Sequence, residues 1–237
     1  AGRSYWQSAR IDDAMSAALH LSDDDDAPLI GAGADAILAL EPRRLARGLD
    51  RMLDRRAAEL GVDPAAILHA ALLAVLTRTQ GRPAGVAVVA TGREEVEIAE
   101  ALGLFERWLP VALQVDIQAA FRDLVRDVKA RRDEARRWQD AFDGSDLPRG
   151  PRAPLLAGFA WRSQAPLLDA RAGFAVEMTR ATEAACRLVL EVTPGPESLV
   201  LRWRFDAATH TERQVERLAA RFEVLLARAL EAPEAAV

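Results

Sequence analysis

The chain has 237 residues, 50% of them hydrophobic and 28% charged, with a formal net charge of −5. That length can bury one large core or two small ones, and the acidic balance argues against a general nucleic-acid surface, which needs a basic excess. One cysteine, Cys186, excludes an intrachain disulfide and a cysteine-rich zinc cluster and suits a reducing cytosol.

No apolar run is long enough to cross a bilayer, and no secretory signal is visible. The Ala-Gly-Arg start has no initiator methionine, as expected of either a trimmed chain or a segment excised from a longer polypeptide. The first 35 residues show weak periodicity and read as an ill-structured lead-in, with Tyr5, Trp6, Leu19 and Leu21 as its anchors. Four consecutive aspartates at 23–26 lack the glycine-turn spacing of a calcium loop and read as a solvated loop. A short strand-like run follows at 36–40. Pro42 then stands where a helix would begin, with Leu45, Leu49, Met52, Leu53 and Leu60 at helical spacing and Gly61 as its stop.

Asp63-Pro64 supplies an N-cap and a first-turn proline for the next helix. Its apolar positions, Ile67, Leu68, Ala71, Leu72, Val75 and Leu76, run nearly all round, so the helix is expected to be buried. Residues 85–90 (GVAVVA) suit an interior strand. Leu109, Val111, Leu113 and Val115 alternate as a half-buried strand does. Phe121, Leu124, Val125 and Val128 mark one face of a long helix whose remainder, KARRDEARRW, is charged and expected to be largely wet.

Strand candidates follow at 155–161, 173–178 and 187–192. Pro194-Gly195-Pro196 makes a turn, and Leu199, Leu201, Trp203 and Phe205 alternate as a hairpin partner of 187–192 would. Thr209-x-x-Glu212 reads as a capping box for a last helix, which carries Val215, Leu218, Phe222, Leu225, Leu226 and Leu230 on one face and stops at Pro233. The order predicts an α/β fold of two layers, with helices packed on a mixed sheet.

The histidines, His20, His69 and His210, show no metal-ligand spacing. His69 falls in the buried helix and His210 at a helix start, positions of a core residue and a cap-region residue. Cys186 opens an apolar run and reads as a strand residue rather than a nucleophile. There is no nucleophile elbow and no phosphate loop, and Gly31-Ala-Gly33 lacks the third glycine of a dinucleotide loop. The residues by themselves therefore define an α/β domain with no self-evident active site and no metal site.

A series of motifs adds a resemblance. Residues 70–81 (AALLAVLTRTQG) and 86–93 (VAVVATGR, ending on Arg93) precede 102–113 (LGLFERWLPVAL), then RWQDAF at 137–142 and PRGPRAPL at 148–155. In this order they resemble the C-terminal lobe of a condensation domain of non-ribosomal peptide synthetases. Gly103 and Phe105 match that family's (I/V)-G-x-F-V-N-T motif, with Arg107-Trp108 in place of Asn-Thr. Gln139, Asp140 and Phe142 match (H/N)-Q-D-x-P-F-E, with Trp138 and Ala141 standing in place of its flanking His and Pro. Arg149, Arg152, Pro154 and Leu155 match R-x-x-S-R-N-P-L, with Ala153 replacing Asn. Residues 201–226 resemble the family's terminal strand, aromatic-Asp turn and helix, and Tyr5-Trp6 resembles the Tyr-Trp near the junction of its two lobes.

The resemblance implies a single lobe of the chloramphenicol acetyltransferase-like superfold over 36–237, with 1–35 as the lead-in from the lobe junction. In the family, two lobes form a V and carrier-bound thioesters enter a tunnel between them. The family's His-His-x-x-x-Asp-Gly motif lies in the N-terminal lobe; no two histidines are adjacent here, and nothing in the sequence resembles that lobe. The chain is therefore expected to be a partial domain that does not catalyse condensation by itself, serving as a scaffold or docking surface. The alternative is half of a complete condensation domain, which would make amide bonds once joined to an N-terminal lobe. A third reading, a free acyltransferase, would need His69 or His210 in a tunnel.

By the same resemblance the expected partners are a carrier protein, an adenylation domain and the missing lobe, with neither nucleic acid nor membrane, in the cytoplasm. No cofactor is expected on the chain itself; phosphopantetheine would arrive on the carrier protein. The positions expected to face partner or tunnel are Arg93, Gly103, Arg107, Trp108, Gln139, Asp140, Arg149 and Arg152. A lone lobe is also expected to expose an apolar patch where its partner lobe would sit.

Overall fold

The computed structural model describes residues 2–8, 21, 37–82, 84–90, 92, 105–143, 155–162, 186–195 and 197–237. The local signals of the first half set two helices, α2 (Arg47–Leu60) and α3 (Pro64–Gln80), after a short N-terminal helix α1 (Gly2–Ser8). The Asp63 side chain accepts from the Ala66 amide, and Pro64 occupies the first turn of α3. Gly61 and Gly81 each end a helix at φ 65°, a left-handed conformation that glycine adopts without a Cβ clash. Every residue of α3 between Ala65 and Thr77 is buried, as its all-round apolar pattern predicts.

Several local expectations change. The lead-in contains a helix, α1, whose Trp6 joins the main core. Pro42 does not start a helix. Residues Arg43–Arg44 form strand β2 on Leu201 and Val200, and the Leu45 amide donates to the Leu199 carbonyl at 2.9 Å. The sheet satisfies these backbone groups, so α2 begins only at Arg47. The capping box of the last helix, α5 (Glu212–Glu231), is made by Thr211 and Gln214. Thr209 instead donates its hydroxyl to the Asp206 carbonyl in the preceding turn.

Helix α4 (Phe121–Arg137) is also less wet than its charge suggests, because Arg132 is only 3% exposed and ion-pairs with Asp63 at 3.0 Å. Burial lowers the Arg132 pKa, and Asp63 offsets part of that from across the helix pair. No single helix among the described residues is long and apolar enough to cross a membrane.

The strands are β1 (Ile37–Ala39), β2 (Arg43–Arg44), β3 (Gly85–Ala90), β4 (Arg107–Ala112), β5 (Leu155–Trp161), β6 (Cys186–Pro194) and β7 (Leu199–Asp206). β4 stops at Ala112, so Leu113 and Val115 pack against the core from outside the strand. The candidate strand 173–178 lies outside the described residues. The sheet order is β1-β7-β6-β5-β3-β4, with β2 also on β7. β5 is parallel to both its neighbours, β3 and β6, and all other pairs are antiparallel.

Register fixes which residues share a face, because side chains alternate along each strand. One row runs Leu109–Val88–Phe159–Leu190–Trp203. It faces the helices: Phe159 stacks on His69 of α3 at 5.4 Å and 6°, and Trp203 meets Phe222 of α5 edge-on at 5.7 Å. The adjacent row, Pro110–Ala87–Gly158–Val189–Arg204, lies on the opposite face. The result is helices on one side of a mixed sheet, the predicted two-layer class.

Candidate functional site

Two motifs far apart in sequence form one cluster beside the sheet. Trp6 of α1 is 1% exposed, and its Nε1–H donates to the Trp138 carbonyl at 2.9 Å. The Trp6 ring lies 4.7 Å from Phe142 and 4.8 Å from Tyr5, centroid to centroid. A Cβ on Gly2 would fall 2.5 Å from that of Ala141, so the bare backbone lets α1 rest on the 3-10 turn Gln139–Ala141. Burial, reinforced by the Glu134 carboxylate, raises the pKa of the Tyr5 phenol, which stays protonated at neutral pH.

Strand β4 reaches the same corner. Arg107 Nη1 donates to the Gln139 carbonyl at 3.1 Å. The next residue, Trp108, points to the sheet face away from the helices. There its indole crosses β3 onto β5: a Cβ on Gly158 would lie 2.5 Å from Trp108 Cζ3 and 2.7 Å from Cys186 Sγ. The Arg-Trp pair that departs from the family's Asn-Thr thus does two separate things. Arg107 ties β4 to the 139–141 turn, and Trp108 covers a glycine on β5. Gly158→Ala is expected to cost about 1–3 kcal/mol, the usual range for overpacking, measured as a lower urea midpoint. An unchanged midpoint would mean that the indole does not lie on β5.

Further along the same face, charged side chains pair across the strands. Arg162 binds Glu106 through both terminal nitrogens and approaches Glu191 at 3.8 Å. Arg204 pairs with Glu191 at 3.2 Å and Arg187 with Asp206 at 3.3 Å. Burial opposes the charge on Arg162, but Glu106 outweighs it and holds the guanidinium charged. Each pair is partly solvated, so each contributes modestly, ~0.2–1 kcal/mol. Their combined effect is a ribbon of fixed, alternating charge. Among the described residues the exposed large hydrophobics are Leu38, Ile117 and Val224, none of them on β3–β7. The signal for the ribbon was present in the alternating Arg187, Glu191, Arg202 and Arg204; their partners across the sheet depend on register.

Of the expected site residues, Arg107 and Gln139 are in contact, with Trp108 and the exposed Asp140 beside them in the chain. Arg93, Gly103, Arg149 and Arg152 lie outside the described residues. His69 is wholly buried, and neither ring nitrogen has a hydrogen-bond partner among the described residues. Burial, then the Arg132 charge, holds its pKa well below the ordinary 6.5, so the ring is neutral. His210 is buried at the start of α5, with Nδ1 2.8 Å from the Thr209 hydroxyl. His20 lies outside the described residues. Burial pushes the Cys186 thiol far up, which leaves it protonated and a poor nucleophile. No group of three or more His, Cys, Asp or Glu among the described residues is placed to hold a metal ion.

Residues 3–142, more than half of the chain, match the condensation-domain family, and the chain belongs to it. The fold is shared with a four-domain nonribosomal peptide synthetase bound to AMP and glycine, at TM-score 0.82 and 15% identity over 98% of this chain and 19% of that one. The first condensation domain of the calcium-dependent antibiotic synthetase, solved with a substrate analogue, matches at TM-score 0.71 and 22% identity, covering 99% of this chain and 52% of that one. The X-domain of teicoplanin biosynthesis, in complex with OxyB, matches at 0.78 and 20%, covering 99% and 53%. The chain thus spans about half the length of the latter two. No curated protein matches it at a significant level.

Proposed function

We propose that this chain is a partial condensation-like domain of a non-ribosomal peptide synthetase that does not itself form amide bonds. It serves in the cytoplasm as a scaffold or docking surface for carrier or adenylation domains, and phosphopantetheine belongs to the carrier. Amide formation needs an amine held against a thioester carbonyl and a group to take its proton. The observation that carries the reading is the burial of both described histidines: His69 is stacked inside the helix–sheet core, and His210 is closed into a helix cap. The solved X-domain complex with OxyB supports docking as a use for this fold.

The test is calorimetry of the purified chain with the phosphopantetheinylated carrier protein and the adenylation domain encoded beside it, with condensation assayed in parallel. Binding without product is expected. Product formed by this chain alone would overturn the reading.

The half-length match to the condensation and X-domain structures favours a second reading, in which the chain completes a two-lobed enzyme. In that case adding a lobe that carries the His-His-x-x-x-Asp-Gly motif produces turnover that neither lobe shows separately. Arg107 and Trp108 would then stand at the lobe interface.

A further inference from the structure

Helix α4 begins without a cap of its own. Its N-cap residue is Ala120, whose side chain has no acceptor for the first-turn amides. The caps of α3 and α5 come from the side chains of Asp63 and Thr211. For α4 the acceptors lie more than a hundred residues downstream, as backbone carbonyls. The Phe121 amide donates to the Ala235 carbonyl and the Arg122 amide to the Pro233 carbonyl, each at 3.0 Å. Val237 returns its own amide to the Ala119 carbonyl at 3.2 Å, so Ala120 and Ala236 stand opposite each other in an antiparallel bridge. The Arg122 guanidinium also pairs with Glu234.

Segment 233–237 is thus a strap from α5 to α4, firmly rooted and lightly held. At its root, Arg56 of α2 donates to the carbonyls of Leu230 and Glu231, at 2.8 and 3.3 Å, and so fixes the end of α5. Beyond the root, Glu234, Ala235 and Ala236 are exposed, and only Val237 is buried. Exposed backbone hydrogen bonds, one solvated ion pair and one small apolar side chain put the strap at the low end of local stability. Ala235, Ala236 and Val237 also line an open groove of about 910 Å³, together with Phe121, Val75 and Leu225.

We propose that segment 233–237 is a detachable strap. Docked, it caps α4 and forms part of the groove's wall. Released, it leaves the first turn of α4 uncapped and the groove open on that side, while the rest of the fold stands. The proposal does not depend on the peptide-synthetase role, because it is tested without a carrier protein or a condensation assay.

Amide hydrogen exchange of the whole chain, read by NMR over a series of low urea concentrations, tests it. The Phe121, Arg122 and Val237 amides should exchange together, through an opening that low urea does not accelerate. The Val125 and Val128 amides, further along α4, should exchange only with global unfolding. Val237→Asp puts a charge where the strap is buried, and should lower protection at Phe121 and Arg122 by about tenfold or more. Val125 and Val128 should change far less. Adding Ala120→Ser to Val237→Asp supplies a side-chain cap, and should restore protection in the first turn of α4 but not at position 237. Strap-linked amides that exchange only with global unfolding would overturn the proposal. So would a Val237→Asp variant that leaves Phe121 and Arg122 protected, or that costs Val125 and Val128 as much. A first turn that Ala120→Ser does not restore would overturn it too, since the strap would then not act as a cap.

Discussion

Trp6→Ala is expected to remove about 3–5 kcal/mol of stability, the range for truncating a fully buried aromatic side chain. At roughly 2–4 °C per kcal/mol for a chain of this size, the thermal midpoint should fall by roughly 6–20 °C. The cause is the cluster that Trp6 centres. Its indole is buried against Phe142, and its N–H satisfies the Trp138 carbonyl at the end of α4. Trp6→Phe keeps most of the apolar contact and loses the hydrogen bond, for a smaller cost of about 1 kcal/mol. Thermal unfolding followed by circular dichroism reads both. An alanine variant within about 1 kcal/mol of the parent would mean that α1 is not docked on the 139–141 turn.

His69→Leu is expected to flatten the acid side of the stability curve. In the unfolded chain the imidazole takes up a proton as pH falls through 6.5. In the folded chain burial, and then Arg132, keeps it neutral well below that value. The unfolded state therefore binds more protons in acid. Stability is fully present above pH 6.5 and falls by about 1.4 kcal/mol per pH unit below it, until the buried ring itself protonates. Leucine cannot protonate, so the difference between variant and parent should grow as pH falls from 7.5 to 5. At neutral pH the variant should be as stable as the parent or more so, since leucine is of similar size and has no ring nitrogens to desolvate. Urea midpoints for both proteins across that range test it, and parallel curves would refute it.

Asp63 acts in a separate window. Burial raises its pKa, but Arg132 and the Ala66 amide outweigh burial and leave it below 3.8. The Asp63 contribution is thus present above 3.8 and is lost only as pH falls below it.

The readings that held rest on signals contained within a few residues. Asp63-Pro64 and Gly81 bound α3 because a cap, a first-turn proline and a left-handed glycine each act on adjacent backbone. The readings that changed depend on partners elsewhere. Pro42 resembles a helix start until β7 is placed beside Arg43 and Arg44. Arg132 resembles a wet residue until Asp63, 69 positions upstream, is found against it. Thr209 fits a capping box on spacing, but the Asp206 turn engages it first and leaves the cap to Thr211.

The candidate site divides in the same way. The motifs marked Tyr5, Trp6, Arg107 and Gln139 separately, and only the tertiary structure joins them in one corner. Gly158 carried no signal at all, because its importance is the approach of an indole from two strands away. The charged ribbon was half visible, as alternating Arg and Glu in β6 and β7 without their cross-strand pairing.

The position of β7 bears on how the chain folds during translation. Among the described residues, strands β1 and β2 pair only with β7, far downstream in sequence: Ile37 stands opposite Asp206 and Arg44 opposite Val200. Until those late residues leave the ribosome, the early strands have no neighbour. Such distant pairing raises contact order and slows folding, since a large loop must close before the contacts return any stability. A nascent chain truncated before Leu199 holds an uncapped β6 edge and two orphan strands, a species prone to aggregate. The sheet is therefore completed only once β7 is available to pair with β1 and β2.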